Sequence, residues 1–586
     1  MTLFSVWAPN ANKVEVELGT ARYPMTAGES GWWTTELTIS ESNADYLFVL
    51  DGGHPLPDPR SPWQPRGIDG PSRILDHNVF DWTDQRWQAA PLSAAIVYEL
   101  HIGTFTPEGT FTAAIDKLDH LVELGISHVE LMPVAEFSGS RGWGYDGVDL
   151  YAPHHAYGGP EGLKRLVDAC HARGLAVILD VVYNHLGPAG NYLARFGPYF
   201  TDRYATPWGQ AINFDGPESN HVRRFFSDNA LMWLGDYHFD ALRIDAVHAI
   251  LDTSAMHFLE QLAAEVTDLA TLSGRHLALI AESDLNDSRV VHSPAIGGYG
   301  IHSQWSDDFH HALHAVLTGE CDGYYADFAS LADLAKALQQ VFVYDGRYSV
   351  FRRRCHGRPA VGLPGSSFLG YLQNHDQIGN RAKGERSSHL MSLGRLKIAA
   401  ALVMTAPFIP MLFQGEEWGA SSPFIYFTDH KDAELGRAVT EGRRREFAAF
   451  SAHVEDVPDP QAPKTFECSR LNWGELEKNS HAEMLDWHRR LIRLRRKIPA
   501  LSDGRLERVT VNFDEQAQWI VMTRGTAAVT CNLAGRPQQV PLQLGAGEIL
   551  LSSTSEARLI DGRIELPPES VAVVDRTEDA APKIKG

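Results

Sequence analysis

The segment Phe239-Asp240-Ala241-Leu242-Arg243-Ile244-Asp245 decides the architecture. It is a short apolar run of strand length that ends on a carboxylate, with an arginine two residues earlier. Residues two apart on a strand point to the same side, so Arg243 and Asp245 share a face. Three other runs end the same way: Asp180-Val181-Val182-Tyr183-Asn184-His185, Ile280-Ala281-Glu282 and Leu372-Gln373-Asn374-His375-Asp376. Ionisable groups are costly to bury and rarely close core strands unless the strand ends form a site. The pattern therefore indicates an enzyme.

Working outward, strand-like runs alternate with helical stretches from about residue 94. The runs are 96–100, 126–132, 176–181, 241–244, 277–281, 303–305, 368–372 and 409–413, and the helices between them include 112–124, 161–173 and 386–405. Eight strand-then-helix units close as a (β/α)8 TIM barrel. A doubly wound open sheet is disfavoured, because no glycine-rich phosphate turn follows the first strand. Before the barrel, Phe4, Val6 and Ala8, then Val14, Val16 and Leu18, alternate with small or polar residues, as in a half-exposed antiparallel sheet. The proline-rich stretch 54–65, containing Trp63, reads as an extended surface connector. After Pro499 the alternation returns at 518–522, 528–533 and 570–574. The expected architecture is multidomain: a central (β/α)8 TIM barrel (86–500) flanked by an N-terminal β-sandwich (1–85) and a C-terminal β-sandwich (501–586). Residues 575–586 are expected to form a short disordered tail.

The chain has 586 residues, with 52 Lys and Arg against 74 Asp and Glu, a formal charge of −22. Such a surface repels phosphate backbones and anionic bilayers, so no nucleic acid and no membrane is an expected partner. Five scattered cysteines without a C-x-x-C pair argue against a disulfide framework or a zinc site. The N-terminus lacks the basic and apolar segments of a signal peptide, and a cytoplasmic location is expected.

In a barrel, functional groups sit at the C-terminal ends of the strands. A guanidinium beside Asp245 is expected to keep it ionised, as a nucleophile requires. Glu282 ends the next strand, in a pocket shared with Asp245 and Asp376, and is expected to hold its proton and serve as general acid. One ionised and one protonated carboxyl group about 5–5.5 Å apart is the arrangement of a retaining glycosidase. Asp376 with His375 would grip ring hydroxyls and stabilise the oxocarbenium-like charge.

These segments resemble the signature regions of the α-amylase superfamily of retaining glycosidases. Asp180 with Asn184-His185 is similar to the first region, Arg243-Ile244-Asp245 to the second, Glu282 to the third and His375-Asp376 to the fourth. The resemblance implies nucleophile, acid/base and transition-state stabiliser roles for Asp245, Glu282 and Asp376. Gly144-Tyr145-Asp146 resembles the loop whose tyrosine stacks beneath the sugar, and Phe4 to Asn10 resembles the starch-binding-like module of branching and debranching members. Residues 97–111, 373–386 and 412–418 resemble malto-oligosyltrehalose trehalohydrolases in particular. That family's implied reaction cleaves the α-1,4 bond next to a terminal trehalose, with malto-oligosyltrehalose and related α-glucans as substrates and trehalose as product. A functional link to a synthase that forms the trehalosyl end is implied too. Implied substrate contacts are Tyr145, His185, Arg243, His375, His248, Asp308, His310, Gln377 and Asn380. No cofactor and no catalytic metal is expected, since Asn184 lacks a surrounding cluster of calcium donors. The alternatives are a glucan-branching transferase or debranching enzyme of the same superfamily and, from another class, a non-catalytic glucan-binding protein.

Other features have plainer readings. The histidines at 154–155, 310–311 and 314 are expected to face solvent or substrate, with adjacent rings splayed apart. Glu416 and Glu417 are expected to face water, the basic run 489–497 to be an amphipathic packing helix, and Trp32-Trp33 to be core.

Overall fold

Eight parallel strands close the centre of the molecule, which is described from a computed structural model covering residues 1–39, 43–448, 457–542 and 547–576. They are β1 (Val97–Leu100), β2 (His128–Leu131), β3 (Ala176–Val181), β4 (Ala241–Ile244), β5 (Ala278–Ala281), β6 (Ser303–Trp305), β7 (Phe368–Gly370) and β8 (Ile409–Phe413). Each pairs with its sequence neighbours, and β8 pairs with β1 to close the barrel. Ile178, Ala241, Ile280, Trp305, Leu369 and Met411 fill the interior as one buried cluster. Their alternate neighbours Leu179, Leu242 and Leu279 belong to the larger core shared with the surrounding helices. The alternation fixes which side chains point inward above this layer: Asp180 follows Ile178, Arg243 follows Ala241, and Glu282 follows Ile280.

Two antiparallel sheets precede the barrel, one of three strands and one of four. Phe4 of the first meets Tyr46 of the second edge-on at 5.1 Å. Trp32 and Trp33 pack part-buried against this core. Two more sheets follow the barrel, of five and three strands, joined by an apolar layer that includes Val521, Ala572, Val540 and Ile564. The barrel flanked by β-sandwich regions is thus the observed fold. The final strand, Ser570–Arg576, includes Asp575 and Arg576, which were expected in the disordered tail; the remainder of that tail lies outside the described residues.

Several elements differ from the sequence reading. The helix expected at 112–124 divides into Phe111–Ile115 and Leu118–Leu124, and Val122 faces solvent. The helix expected at 386–405 divides into Ser387–Leu390 and Leu393–Thr405, because the Ser392 hydroxyl accepts from the Arg395 amide and caps the second piece. The basic run lies in the helix Asn479–Lys497, but Arg495 is buried and donates to the carbonyls of Met404, Ala406 and Phe408. The first belongs to the last turn of the helix Leu393–Thr405, where carbonyls lack intrahelical partners, and the other two to the link into β8.

The segment leading into the barrel is clamped to its underside. His171 bonds Asp84 at 2.8 Å through Nδ1 and Asp240 at 3.0 Å through Nε2, while Trp87 stacks on its ring at 4.7 Å. Burial works against charge on His171, but the two carboxylates hold its pKa above the usual value; Asp84 and Asp240 are held below theirs. The histidine's contribution is complete below about pH 6.5 and fades as pH rises through its raised pKa. The carboxylates' contribution is complete above about pH 4 and fades as pH falls. Replacing His171 with Gln is therefore expected to cost most between about pH 4 and 6.5, about 3 kcal/mol for a broken buried pair, with a smaller penalty toward pH 9. Urea midpoints of both proteins across pH test this, and a pH-independent difference would refute it.

Candidate active site

Arg243 is the centre of the site. It is fully buried, and its Nη1 donates to both oxygens of Asp180, at 2.8 and 2.7 Å, and to Asp245 Oδ1 at 2.9 Å. Its Nη2 lies 3.1 Å from Glu282 Oε2. The guanidinium carbon rests 4.1 Å from the ring centre of Trp305, which supports the cation from below. Three carboxyl groups on β3, β4 and β5 thus converge on one planar cation.

Asp245 is also bound through Oδ2 by the Asn184 amide at 2.9 Å, and the Asn184 carbonyl oxygen pairs with His185 Nδ1 at 2.7 Å. The residue after Asp245, Ala246, adopts a left-handed conformation (φ 38°), and its amide donates to Glu282 Oε2 at 2.7 Å. Non-glycine residues in that region are strained and persist where the surroundings hold them. Burial raises the Glu282 pKa, Arg243 opposes this, and Asp245 adds to it. Burial lifts Asp180 to about 7 despite Arg243.

Tyr145 crosses the floor of the cleft. Its hydroxyl donates to Asp180 at 2.6 Å, lies 2.8 Å from His375 Nε2, and its ring stacks on that imidazole at 5.1 Å. Gly144 precedes it at φ +100°, where a Cβ would fall 2.2 Å from the Pro133 carbonyl oxygen, so only glycine lets the loop pass. His375 is held by a short bond from Nδ1 to Glu99, on the inner face of β1. Burial disfavours its charge, but Glu99 and Asp376 raise it to about 9. Asp376 opens the short helix His375–Gly379, with its amide bonded to Asn374.

Asp245, Glu282 and Asp376 line one cleft of about 440 Å³ together with Tyr145, His185, His248, His375 and Asn380. Their side chains are 12, 25 and 42% exposed, while Arg243 is sealed off, so a ligand would reach the carboxyl groups and not the cation. Asn380 donates to Asp376 and is in turn bound by Arg443.

Three expected contacts lie elsewhere. Asp308 is buried and accepts through Oδ2 from the amides of Val343 and Tyr344 and from Asn286, outside the lining of the cleft. His310 is buried between the Leu372 carbonyl and the Tyr325 hydroxyl. Gln377 completes a capping box with Asn374 and donates to Asp307. His314 and His154 are buried as well, not solvated, and His154 and His155 converge on Glu136 instead of splaying apart. That carboxylate also accepts the His155 amide, so hydrogen bonds already satisfy the group. Glu416 and Glu417 are buried too; Glu417 accepts from Tyr98 and pairs with His120.

Residues absent from the sequence reading complete the cleft. Trp208, 47% exposed, stacks on His185 at 4.6 Å from the tip of the hairpin Phe200–Thr206 and Gly209–Ile212. Arg443 comes from the helix Ala433–Ala448. Neither lies in a periodic barrel unit. Glu99 had a signal: an acid at an inward position of an otherwise apolar strand.

The family model "Alpha amylase, catalytic domain" matches residues 80–240, and "Domain of unknown function (DUF3459)" matches 504–573. A malto-oligosyltrehalose trehalohydrolase from Rhizobium sp. (strain M-11) is 48% identical over 97% of this chain and 97% of that protein. The chain belongs to the malto-oligosyltrehalose trehalohydrolase family. Another member, from Mycobacterium tuberculosis (strain H37Rv), is 47% identical over 99% of this chain and 100% of that protein. A solved pullulanase from Anoxybacillus sp. is 19% identical, with a TM-score of 0.72 over 98% of this chain and 86% of that one, and shares the fold alone. Within the trehalohydrolase family, the barrel and the Arg243-centred cleft are the setting in which this chain's chemistry is read.

Proposed function

We propose that this chain hydrolyses the α-1,4-glucosidic bond adjacent to the terminal trehalose of malto-oligosyltrehalose by retaining double displacement. The observation that carries the mechanism is the placement of Asp245 and Glu282 on the two terminal nitrogens of one guanidinium. Carboxyl groups drawn together in this way suit the spacing of about 5–5.5 Å required for a covalent glycosyl–enzyme intermediate.

In the first step an Asp245 oxygen bonds to the anomeric carbon as the C–O bond breaks. The bonding pair leaves on the trehalose oxygen, which takes the proton of Glu282, and trehalose departs. In the second step Glu282 takes a proton from water, the water oxygen attacks the same carbon, and Asp245 is released with the shortened malto-oligosaccharide. Asp376 faces the positive charge that develops at the anomeric carbon and ring oxygen in both steps. Tyr145 presents its face to the reacting sugar, while His185, His248, His375 and Asn380 supply polar contacts. Arg243 stays beneath, orienting the nucleophile.

The reading includes a functional link to a synthase that supplies the trehalosyl end, and a cytoplasmic location. Support for the location comes from five unpaired cysteines and from the lack, among the described residues, of any helix long and apolar enough to cross a membrane. Incubation with maltopentaosyl trehalose and maltohexaose side by side tests the function. Trehalose is expected from the first substrate at well over ten times the rate of any product from the second, since a site built for one polar end rejects its absence strongly. New α-1,6 branches without free trehalose would instead establish a branching transferase.

A further inference from the structure

Asp376 is the least constrained of the three carboxyl groups in the cleft. Asp245 has both oxygens held, by Arg243 and Asn184, and Glu282 is fixed by Arg243 and the Ala246 amide. Among the described residues, the Asp376 carboxylate accepts one hydrogen bond, from Asn380 Nδ2 to Oδ1 at 3.3 Å. His375 Nε2 lies further off, at 3.7 Å. The direction of Asp376 therefore depends on the direction of Asn380.

An amide does not set its own direction. It donates from nitrogen and accepts at oxygen, and half a turn exchanges the two. Arg443 removes the choice. Its Nη1 donates to Asn380 Oδ1 at 3.2 Å, and its Nη2 to the Gly379 carbonyl at 2.7 Å. A guanidinium only donates and a carboxylate only accepts, so the Asn380 oxygen faces Arg443 and its nitrogen faces Asp376.

The guanidinium is held in its turn. It lies over the rings of Tyr426 at 5.0 Å and Phe447 at 4.9 Å, and Glu446 takes Nη1 at 3.1 Å. Gly379 ends the short helix that carries Asp376, where a carbonyl has no intrahelical partner. A Cβ on Gly379 would fall 1.9 Å from the Trp143 ring. The helix is thus fixed by the Asn374 cap at one end, by Trp143 alongside and by Arg443 at the other end.

We propose that Arg443 is a positioning residue for the reaction: through Asn380 and the Gly379 carbonyl it aims the Asp376 carboxylate at the developing positive charge. The proposal rests on the reading of Asp376 as transition-state stabiliser. Arg443 also lines the cleft, so the rival role is a direct grip on the sugar. Aiming a group at the transition state acts on kcat, whereas gripping the ground state acts on KM.

The test is trehalose release from maltopentaosyl trehalose by wild type, Arg443→Met, Arg443→Lys, Asn380→Ala and the double variant of Arg443→Met with Asn380→Ala. Arg443→Met should lower kcat about tenfold or more with KM within about twofold, since slight misplacement near the reacting atoms is felt strongly. Arg443→Lys keeps a donor without the planar fork and should fall between Arg443→Met and wild type. The kcat of the double variant should lie no more than about twofold below that of the slower single variant, because both changes break one relay. Should Arg443→Met not fold, Arg443→Lys takes its place in the same cycle. A kcat that stays at the wild-type value, whether or not KM rises, or losses that multiply in the double variant, would overturn the proposal. Failure of the functional reading would look different: wild type itself would release no trehalose, and the cycle would then be read on its branching of amylose.

Discussion

Asp245→Ala is expected to lose trehalose release by about 10⁴-fold or more, the scale on which removal of a nucleophile is felt, while still binding maltopentaosyl trehalose. No neighbour can take over. Asp180 is the nearest carboxyl in the Arg243 network, but both its oxygens are bound to Arg243 and one also accepts the Tyr145 hydroxyl. Its pKa of about 7 further weakens it as a nucleophile near neutrality. Glu282 approaches from the next strand and is fixed by the Ala246 amide. Binding should survive because other walls of the cleft, Tyr145, His185 and Trp208, are built from other loops. Trehalose release followed by chromatography, together with calorimetric titration of the variant, measures both quantities. Unchanged turnover would show that Asp245 is not the nucleophile.

The barrel and the three carboxyl groups of the cleft were legible because each follows an apolar run; period-two alternation then assigns Asp245 and Glu282 to the interior, while Asp376 arrives on the short helix His375–Gly379 beyond β7. Asp307 and Asp308 show where that logic was not followed far enough. Counting in twos from the inward Trp305 selects Asp307, whereas resemblance pointed to Asp308. The helix Asp307–Thr318 begins at this point and turns Asp308 away, toward the amides of Val343 and Tyr344. Glu416 and Glu417 were misread for a different reason. Two adjacent acids after a strand look solvated, but Tyr98, His120 and the buried Arg386 arrive from distant parts of the chain to enclose them. Trp208 and Arg443 belong to excursions from the strand–helix rhythm, where no period constrains a side chain's direction. Tertiary placement of loops, and not local pattern, decides what lines the rim of the cleft.

Arg243→Lys should damage both the reaction and the fold. The guanidinium serves Asp180 and Asp245 with one nitrogen and faces Glu282 with the other, while its plane lies against Trp305. An ammonium ion is a single compact charge without that planar fork, so it can satisfy one side of the network and not both. The expected result is a loss of at least about 10²-fold in kcat with a much smaller change in KM, because Arg243 is buried beneath the cleft and orients the nucleophile without reaching the sugar. Breaking a buried pair of this kind should cost about 3–5 kcal/mol of stability. The pH dependence has a definite sign. With the cation weakened, burial acts on Asp180 and Glu282 with less opposition and raises both pKa values further. A carboxyl group whose folded pKa exceeds its unfolded value favours the fold only while protonated, so the penalty should grow as pH rises from about 4 toward 8. Urea midpoints at pH 5 and pH 8 separate this from simple loss of packing, which would be equal at the two. If Arg243→Lys matched wild type in kcat and in both midpoints, the convergence of three carboxyl groups on Arg243 would not be what organises this site.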